Sequence, residues 1–430
     1  MNLTIASIIL IGSFLLMIAI GGNIAYALGL SAIFCALYLH FPLMTVVNLI
    51  LVKFGTFTLL AVPFFILAGE IMGSGGISDR LIKLSKAIIG WMRGGLAMVN
   101  IVASTFFGGI SGSAAADTAS LGAILIPMMK KEGYDEEFST SITMTSSVQG
   151  ILIPPSHNLV IYAVAAGGVS IAELFMAGLV PGLLLGVCLA IYCYFVAVKR
   201  NYPKGDKFSL KVLFKELKES ILALGTVIIV VGGVVAGICT ATEAAALAVV
   251  YSFIVTFFVY RDIPLSEFKN ILKRSVKTMS TVLILTSCAT AFSFFITYLQ
   301  IPQKMTAALM VISSNKYILL LLVNLILILL GCFMNTISII LIMTPILLPI
   351  VESLGMSAVQ FGVMMILNLG IGLITPPVGN ILFIGSSVSG ISVERLSKSV
   401  LPQLGVMFIA LLMVTFIPAV SMALPTLLYG

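Results

Sequence analysis

Apolar residues run almost without interruption along the chain, in stretches long enough to cross a membrane as helices. The stretch YILLLLVNLILILLG (317–331) shows no alternation of polar and apolar positions, which is typical of a membrane helix and not of a barrel strand. We therefore predict an all-α polytopic membrane protein that forms one integral membrane domain over residues 1–430. The predicted spanning helices are 3–20, 22–40, 44–72, 138–168, 174–198, 220–236, 238–260, 277–300, 357–390 and 400–424.

Two further apolar stretches, about 95–130 and 317–351, are too long for one crossing and are broken in the middle. Small polar residues and glycines cause the interruptions, at Ser111–Asp117 in the first stretch and at Gly331–Thr336 in the second. We predict that each stretch is a re-entrant helical hairpin with the interruption at its tip. An ordinary pair of short helices is the alternative that this pattern leaves open.

The composition agrees with a membrane protein, because 60% of the residues are hydrophobic and only 9% are charged. A soluble globular chain carries about 25% charged residues. The six cysteines occur singly and there are only two histidines, so the sequence predicts no metal cluster of these residues. The net charge of +7 comes from loops, which indicates membrane orientation and not nucleic-acid binding.

Basic residues set the predicted orientation of the chain. The segment 199–218 carries seven of them, which predicts a cytoplasmic loop. Counting spans outward from this loop places most of the other lysines and arginines on the same side and both termini outside. The first hairpin then opens toward the cytoplasm and the second toward the outside. Five spans separate the hairpins, so the two halves have opposite topology.

Two segments repeat one motif at a fixed distance. LIPPSHNLVIYAVAAGGVS (152–170) and ITPPVGNILFIGSSVSGIS (374–392) share a Pro-Pro-x-x-Asn pattern at an offset of 222 residues. The matched positions are Pro154, Pro155, Asn158, Gly168 and Ser170 in the first segment and Pro376, Pro377, Asn380, Gly390 and Ser392 in the second. Together with the opposite topology, the match predicts approximate inverted repeats, 44–198 and 277–424. Inverted repeats with interrupted helices are typical of secondary transporters.

The Pro-Pro pairs predict two broken helices. Proline lacks a backbone N–H and disfavours helical geometry in the residue before it, so a pair of prolines frees carbonyl oxygens in mid-helix. Such backbone is tolerated at membrane depth only inside protein or beside a wet cavity. A bound Na⁺ would satisfy these oxygens, as at the unwound helices of other transporters. A structural kink is the alternative, but two pairs at matching positions favour a site.

Asp117 is one of very few acidic residues predicted at membrane depth. A carboxylate is costly there and is a functional candidate by default. Two roles stay open for it, either coordination of Na⁺ or capping of the helix that follows the hairpin tip.

Five long segments carry a resemblance to a known family. They are VPFFILAGEIM (62–72), GGLAMVNIVASTFFGGISGSAAADTASLGAILIPMM (94–129), ILIPPSHNLVIYA (151–163), MNTISIILIMTPILLPI (334–350) and NLGIGLITPPVGN (368–380). With these segments the chain resembles the large membrane subunit of tripartite ATP-independent periplasmic (TRAP) transporters, the DctM-like permeases. The resemblance covers essentially the whole chain.

The resemblance implies a transporter and not an enzyme. Its expected function is Na⁺-coupled uptake of an organic acid, either sialic acid or a C4-dicarboxylate, across the bacterial inner membrane. It implies two protein partners, a periplasmic substrate-binding protein and a small four-helix membrane subunit, here expected as a separate chain. It also implies an elevator, in which a transport domain that holds both hairpins and both broken helices slides against a scaffold.

Transferred to matching positions of this sequence, the resemblance implies Na⁺ sites at the two hairpin tips and the breaks that face them. The implied Na⁺-binding residues are Ser111, Gly112, Ser113, Asp117, Pro154 and Asn158 in the first half, and Gly331, Asn335, Thr336, Thr375, Pro376, Gly379 and Asn380 in the second. The implied substrate-binding residues are Ser111, Ser156, His157, Asn335 and Thr336. No catalytic residue and no cofactor besides Na⁺ are expected.

Two rival functions remain at the level of the sequence. The residues GISG (109–112) match the motif of an intramembrane serine protease, with Ser111 as nucleophile and His157 as its base. The positions 222 residues later are Phe333 and Gly379, so the repeat duplicates the break but not this dyad. An ion channel is the second rival, and saturable uptake that depends on a binding protein would separate it from a transporter.

Overall fold

The described part of the chain consists of helices joined by short loops. The structure is a computed structural model that describes residues 2–54, 57–313 and 315–430. Within these ranges there is no β-strand, and the backbone makes one isolated bridge between Arg93 and Lys204. The all-α fold expected from the continuous apolar runs is therefore confirmed.

Twenty helices are labelled here in chain order within the described ranges. The first ten are α1 (Leu3–Ala19), α2 (Ile24–Tyr38), α3 (Leu43–Phe54), α4 (Ala61–Ser74), α5 (Ile77–Ile89), α6 (Gly95–Ser111), α7 (Ala114–Lys131), α8 (Glu136–Ser147), α9 (His157–Ala166) and α10 (Ile171–Lys199). The others are α11 (Leu210–Val235), α12 (Ala241–Tyr260), α13 (Leu265–Tyr298), α14 (Ile301–Ile312), α15 (Lys316–Phe333), α16 (Thr336–Ser353), α17 (Ala358–Gly372), α18 (Asn380–Ser389), α19 (Val393–Phe416) and α20 (Pro418–Tyr429).

Seven of the described helices are long and apolar enough to cross a membrane on their own. They are α10, α11, α12, α13, α15, α16 and α19. Helices α4 and α5 pass the same test together, but the chain bends by 75° between them. The protein is thus a multi-pass membrane protein, although several predicted spans are built from two shorter helices.

The prediction of one helix over 44–72 is wrong. Helix α3 ends at Phe54, a 3-10 turn covers Phe57–Leu60, and α4 begins only at Ala61; residues 55 and 56 lie outside the described residues. Pro63 lies in the first turn of α4, where a proline is well tolerated because its missing N–H would have no partner within the helix.

The span predicted over 400–424 is also broken. Helix α19 ends at Phe416 and α20 begins at Pro418, with Ile417 in an extended conformation (φ −114°, ψ 90°). Pro418 disfavours helical geometry in Ile417, which favours a break at this residue.

Amphipathic helices explain the remaining differences from the sequence prediction. The predicted spans 220–236 and 277–300 begin too late, since α11 begins at Leu210 and α13 at Leu265. Helix α5, which buries Leu81 while it exposes Lys83, was not expected at all. Their lysine-rich exposed faces lower the average hydropathy, so an apolar run detects only part of each helix.

The first residues of corresponding helices in the two halves are separated by the same offset as the matched sequence motif. Helix α7 begins at Ala114 and α16 at Thr336, 222 residues later. The pairs α6 and α15, α8 and α17, α9 and α18, and α10 and α19 each begin within one residue of that spacing. The peptide bonds Pro154–Pro155 and Pro376–Pro377 are both cis. The repeat boundaries 44–198 and 277–424 themselves stay a prediction.

The two halves interlock around these elements. Each hairpin packs against the broken helix of its own half, α6 on α8 and α15 on α17. The second arm of each hairpin also packs against the broken helix of the other half, α7 on α18 and α16 on α9. This exchange brings both interruptions and both breaks into one region.

Candidate functional site

The tip of the first hairpin is only two residues long. Helix α6 ends at Ser111, Gly112 turns the chain with a positive φ of 61°, and Ser113 is the N-cap of α7. The side chain of Ser113 accepts a hydrogen bond from the amide of Ala116 at 3.4 Å. The predicted tip Ser111–Asp117 is thus too long, because Asp117 already lies in the first turn of α7.

This tip contacts the first Pro-Pro break directly. The Nδ2 atom of Asn158 donates a hydrogen bond to the carbonyl oxygen of Gly112 at 3.3 Å. A Cβ atom on Gly112 would lie 3.4 Å from the carbonyl oxygen of Pro155 and 3.0 Å from Nδ1 of His157. One turn earlier, Gly108 crosses the backbone of Gly150 so closely that a Cβ atom on it would overlap the neighbouring chain.

Asp117 is fully buried beside this contact. Its Oδ1 atom accepts a hydrogen bond from the hydroxyl of Ser111 at 3.4 Å, whereas Oδ2 has no hydrogen-bond partner among the described residues. A Cβ atom on Gly150 would lie 3.2 Å from this Oδ2 atom. The carboxylate therefore faces the broken helix with one oxygen free, while the side-chain cap of α7 comes from Ser113.

The tip of the second hairpin repeats this construction with other residues. Helix α15 ends at Phe333, and Asn335 is the N-cap of α16, accepting from the amide of Ile337 at 2.9 Å. The hydroxyl of Thr336 is buried and has no hydrogen-bond partner among the described residues. Gly331 lies in the last turn of α15, so the predicted tip Gly331–Thr336 is too long as well.

The second break lies against this tip. The amide of Gly379 donates to the carbonyl oxygen of Cys332 at 3.1 Å. Gly331 crosses Gly372 closely, since a Cβ atom on Gly372 would lie only 2.7 Å from the Cα atom of Gly331. The hydroxyl of Thr375 donates to the carbonyl oxygen of Ile371 at 2.7 Å, inside its own segment.

A cavity of about 420 Å³ joins the two tips. Seven of the predicted site residues line it: Ser111, Ser113, His157, Asn158, Asn335, Thr336 and Asn380. The other predicted residues do not line the cavity: Gly112, Asp117, Pro154, Ser156, Gly331, Thr375, Pro376 and Gly379. Among these, Ser156 is buried and donates to the carbonyl oxygen of Ile151 at 2.6 Å, and therefore does not reach the substrate space in which it was predicted.

Helices α4 and α13 supply cavity residues that the sequence prediction missed. Glu70, Ser74 and Thr278 line the space opposite the tips. Arg274 reaches its edge, where Nη2 donates to Ser74 Oγ at 2.9 Å and Nε lies 3.4 Å from Glu70 Oε2. In the sequence, Glu70 stands out as an acid within an apolar run. No local pattern pairs it with Arg274, which lies 204 residues further along the chain.

Most polar groups that line the cavity are neutral, and the acidic exception, Glu70, is paired with Arg274. Hydroxyls and amides come from the tips, and α7 and α16 both begin there, so their N-termini carry partial positive charge. In the described part of the chain there is no group of three or more His, Cys, Asp and Glu residues that could hold a metal ion. Ser111 donates to Asp117 and makes no described hydrogen bond to His157, so the arrangement of a serine nucleophile and its base is absent there.

The architecture as a whole has a counterpart among solved transporters. The crystal structure of the Alcanivorax borkumensis YdaH transporter matches with a TM-score of 0.61, covering 87% of this chain and 88% of that one. The sequence identity is 14%, so the similarity concerns the fold alone. This similarity shows that the two proteins share a helical fold.

The sequence comparisons identify the family. Residues 11–420 match the family model for "Tripartite ATP-independent periplasmic transporter, DctM component". The chain therefore belongs to the DctM family of TRAP transporter large permeases. Because this family consists of transporters, the protein is not an enzyme, and the serine-protease alternative is excluded.

Three relatives illustrate the range of this family. The sialic acid TRAP transporter large permease protein SiaM of Vibrio cholerae is 41% identical over 87% of both chains. The C4-dicarboxylate TRAP transporter large permease protein DctM of the same organism is 39% identical over 96% of both chains. The isethionate TRAP transporter permease protein DctMQ of Oleidesulfovibrio alaskensis is 39% identical over 96% of this chain and 65% of that protein.

Proposed function

We propose that this protein imports an organic acid by Na⁺-coupled secondary transport across the bacterial inner membrane. The observation that carries the proposal is one cavity that both hairpin tips line, in which most polar groups are hydroxyls and amides. Membership of the DctM family supports transport of an organic acid.

Sodium is proposed to bind behind each tip, where buried oxygen atoms lack partners. In the first half the free Oδ2 atom of Asp117 faces the backbone at Gly150, close to the break at Pro154. In the second half the buried hydroxyl of Thr336 lies beside the break that ends at Asn380. Buried oxygens without partners are costly, and a desolvated Na⁺ would use them as ligands.

The organic acid is proposed to bind in the cavity between the tips. Its charged group would be attracted by the N-termini of α7 and α16 and by Arg274 at the edge. The relatives are named for isethionate, sialic acid and C4-dicarboxylates, which are all organic anions. Sialic acid and C4-dicarboxylates are the first candidates for this chain.

The proposed movement is an elevator. Since α7 packs on α18 and α16 on α9, neither hairpin can shift without the broken helix of the other half. Both hairpins and both broken helices would therefore move as one transport domain, with the inverted repeats 44–198 and 277–424 giving similar inward and outward positions.

Two partner proteins complete the proposal, a small membrane subunit and a periplasmic substrate-binding protein. The family description names a tripartite periplasmic system. The name of the relative DctMQ joins the letters of two permease components, and this chain covers 65% of that protein. The binding protein would deliver the acid to the outer face of the cavity.

The test is uptake into proteoliposomes that contain this chain and its small partner. Labelled sialic acid and succinate are offered with and without the cognate binding protein, under an inward Na⁺ gradient or an equal K⁺ gradient. We expect saturable uptake of one acid that requires both Na⁺ and the binding protein. Uptake that ignores Na⁺ and proceeds without binding protein would overturn the proposal, and non-saturable flux would favour a channel.

A further inference from the structure

A second cavity, of about 230 Å³, lies away from the transport site. It is formed by the end of helix α5 with the turn after it, and by the segment that leads into α11. Lys83, Lys86 and Trp91 line one wall, and Phe208 and Glu216 line the other. Basic residues around it predict that this face is cytoplasmic.

The walls of this cavity are held together by the backbone. The amide of Gly94 donates to the carbonyl oxygen of Pro203 at 3.0 Å, and Arg93 forms an isolated bridge with Lys204. The guanidinium of Arg93 also donates to the carbonyl oxygen of Tyr202 at 3.3 Å. The indole N–H of Trp91 donates to Ile88 at 3.0 Å, which fixes the orientation of the ring.

Charges of both signs line the cavity without pairing with one another. The cations are Lys83, Lys86 and Lys207, and the anions are Asp206 and Glu216. No salt bridge joins any of these five side chains within the described residues, and Oε2 of Glu216 is buried without a hydrogen-bond partner. A ligand that carries an anionic and a cationic group together would satisfy both sets.

The same cavity has an apolar rim. Trp91 is 47% exposed, and Phe208 and Val212 are each 48% exposed. Helix α11, which is long and apolar enough to span a membrane, begins at Leu210 within this wall. Tryptophan and lysine side chains are typical of the interface between the hydrocarbon core and the head groups. The ligand is therefore expected to be an amphiphile with its polar end in the cavity.

We propose that this cavity binds the head group of an ethanolamine phospholipid. The phosphate lies against Lys83, Lys86 and Lys207, and the ammonium group lies against Glu216 and Asp206. The uncapped first turn of α11 adds backbone N–H groups on the phosphate side, since Ser209 makes no side-chain cap. Phe208 and Val212 contact the start of the acyl chains.

The test is native mass spectrometry of the purified full-length protein after delipidation and addition of phosphatidylethanolamine or phosphatidylglycerol. The variant Lys83→Gln/Lys86→Gln is compared with Lys269→Gln/Lys273→Gln, which removes two exposed lysines of α13. We expect the first variant to lose about tenfold in retention of phosphatidylethanolamine, because each lysine near the membrane surface attracts lipid phosphate. The control is expected to retain the lipid as the unaltered protein does.

Glu216→Gln separates the zwitterionic lipid from an anionic one. This change should lower the retention of phosphatidylethanolamine about fivefold and leave phosphatidylglycerol unchanged or more tightly bound, since only the ammonium partner is lost. An unchanged ratio between the two lipids would overturn the proposal, as would equal retention in both lysine variants. Inorganic phosphate at millimolar concentration is added as a competitor. If it displaces the lipid fully, the site binds phosphate alone and the proposal is overturned. Thermal unfolding of each variant checks that the fold is intact.

Discussion

The contact between Gly331 and Gly372 predicts that a single methyl group beside the second tip slows transport. In Gly372→Ala the new Cβ atom would lie 2.7 Å from the Cα atom and 2.8 Å from the carbonyl carbon of Gly331. Carbon atoms in contact prefer about 3.5–4.0 Å, so the two segments must separate by roughly 1 Å. Both neighbours are backbone atoms, and no side chain can rotate away to relieve the contact.

The expected cost follows from what this separation breaks. Overpacking of this kind destabilises a protein by about 1–3 kcal/mol. The last turn of α15 carries the carbonyl oxygen of Cys332, which accepts from Gly379 at 3.1 Å, and a shift of roughly 1 Å takes this pair out of hydrogen-bond range. We expect the initial rate of Na⁺-driven uptake to fall about tenfold or more and the half-saturating Na⁺ concentration to rise.

The assay is uptake by proteoliposomes at several Na⁺ concentrations, with size-exclusion chromatography and thermal unfolding to verify folding. Gly405→Ala in α19 is the matched control, because no atom lies within 4 Å of its new Cβ position. If Gly372→Ala does not fold, Gly331→Ala is the milder test, with its Cβ 3.1 Å from Gly372 Cα. A Gly372→Ala or Gly331→Ala protein with the rate and Na⁺ dependence of the control would refute this reasoning.

Three further predictions concern individual charges. Asp117→Asn keeps the buried volume but removes the charge, and should raise the half-saturating Na⁺ concentration about tenfold in the uptake assay; an unchanged value would remove Asp117 from the Na⁺ site. Arg80 pairs with Asp262 at 2.7 Å through two hydrogen bonds, and both side chains are largely buried. Arg80→Ala should therefore cost about 1–3 kcal/mol of stability, and Arg80→Lys should not restore it. A thermal unfolding temperature equal to that of the unaltered protein would contradict this prediction. Hydrogen bonds from Tyr202 and Arg200 lower the pKa of Asp135. The ionised carboxylate therefore stabilises the fold at every pH above the ordinary pKa of about 3.9. This contribution is lost as the pH falls through the lowered pKa. Asp135→Asn should therefore lower the unfolding temperature near pH 7, and this effect should shrink as the pH falls through the lowered pKa; an effect that does not change with pH would argue against the ion pair as the cause.

Much of the candidate site was within reach of the sequence. The pairs Pro154-Pro155 and Pro376-Pro377 interrupt helices as expected, because two consecutive prolines remove two backbone N–H groups and disfavour helical geometry in the residue before them. The two interrupted helix pairs were also expected, though their tips are shorter than predicted, and the re-entrant form of these pairs stays a prediction. Asp117 illustrates the limit, since small residues before it made the tip look longer than the two residues that form it.

The parts that could not be predicted depend on contacts between distant segments. The crossings of Gly108 with Gly150 and of Gly331 with Gly372 are indistinguishable in sequence from the other glycines of a chain that has 38 of them. Arg274 at the edge of the cavity is also a product of tertiary packing, because its partners Glu70 and Ser74 lie on another helix.

The sequence by itself determined the class of fold, the two Pro-Pro breaks and the family, because hydropathy, proline pairs and long motifs act locally. Only the tertiary structure decided how helices of opposite halves pack together. The packing of α7 on α18 and of α16 on α9 joins residues of opposite halves, and it depends on the shapes of helix surfaces that are far apart along the chain. For the same reason the structure, and not the sequence, separates the residues that line the cavity, such as Asn335 and Asn380, from those buried behind it, such as Asp117 and Ser156.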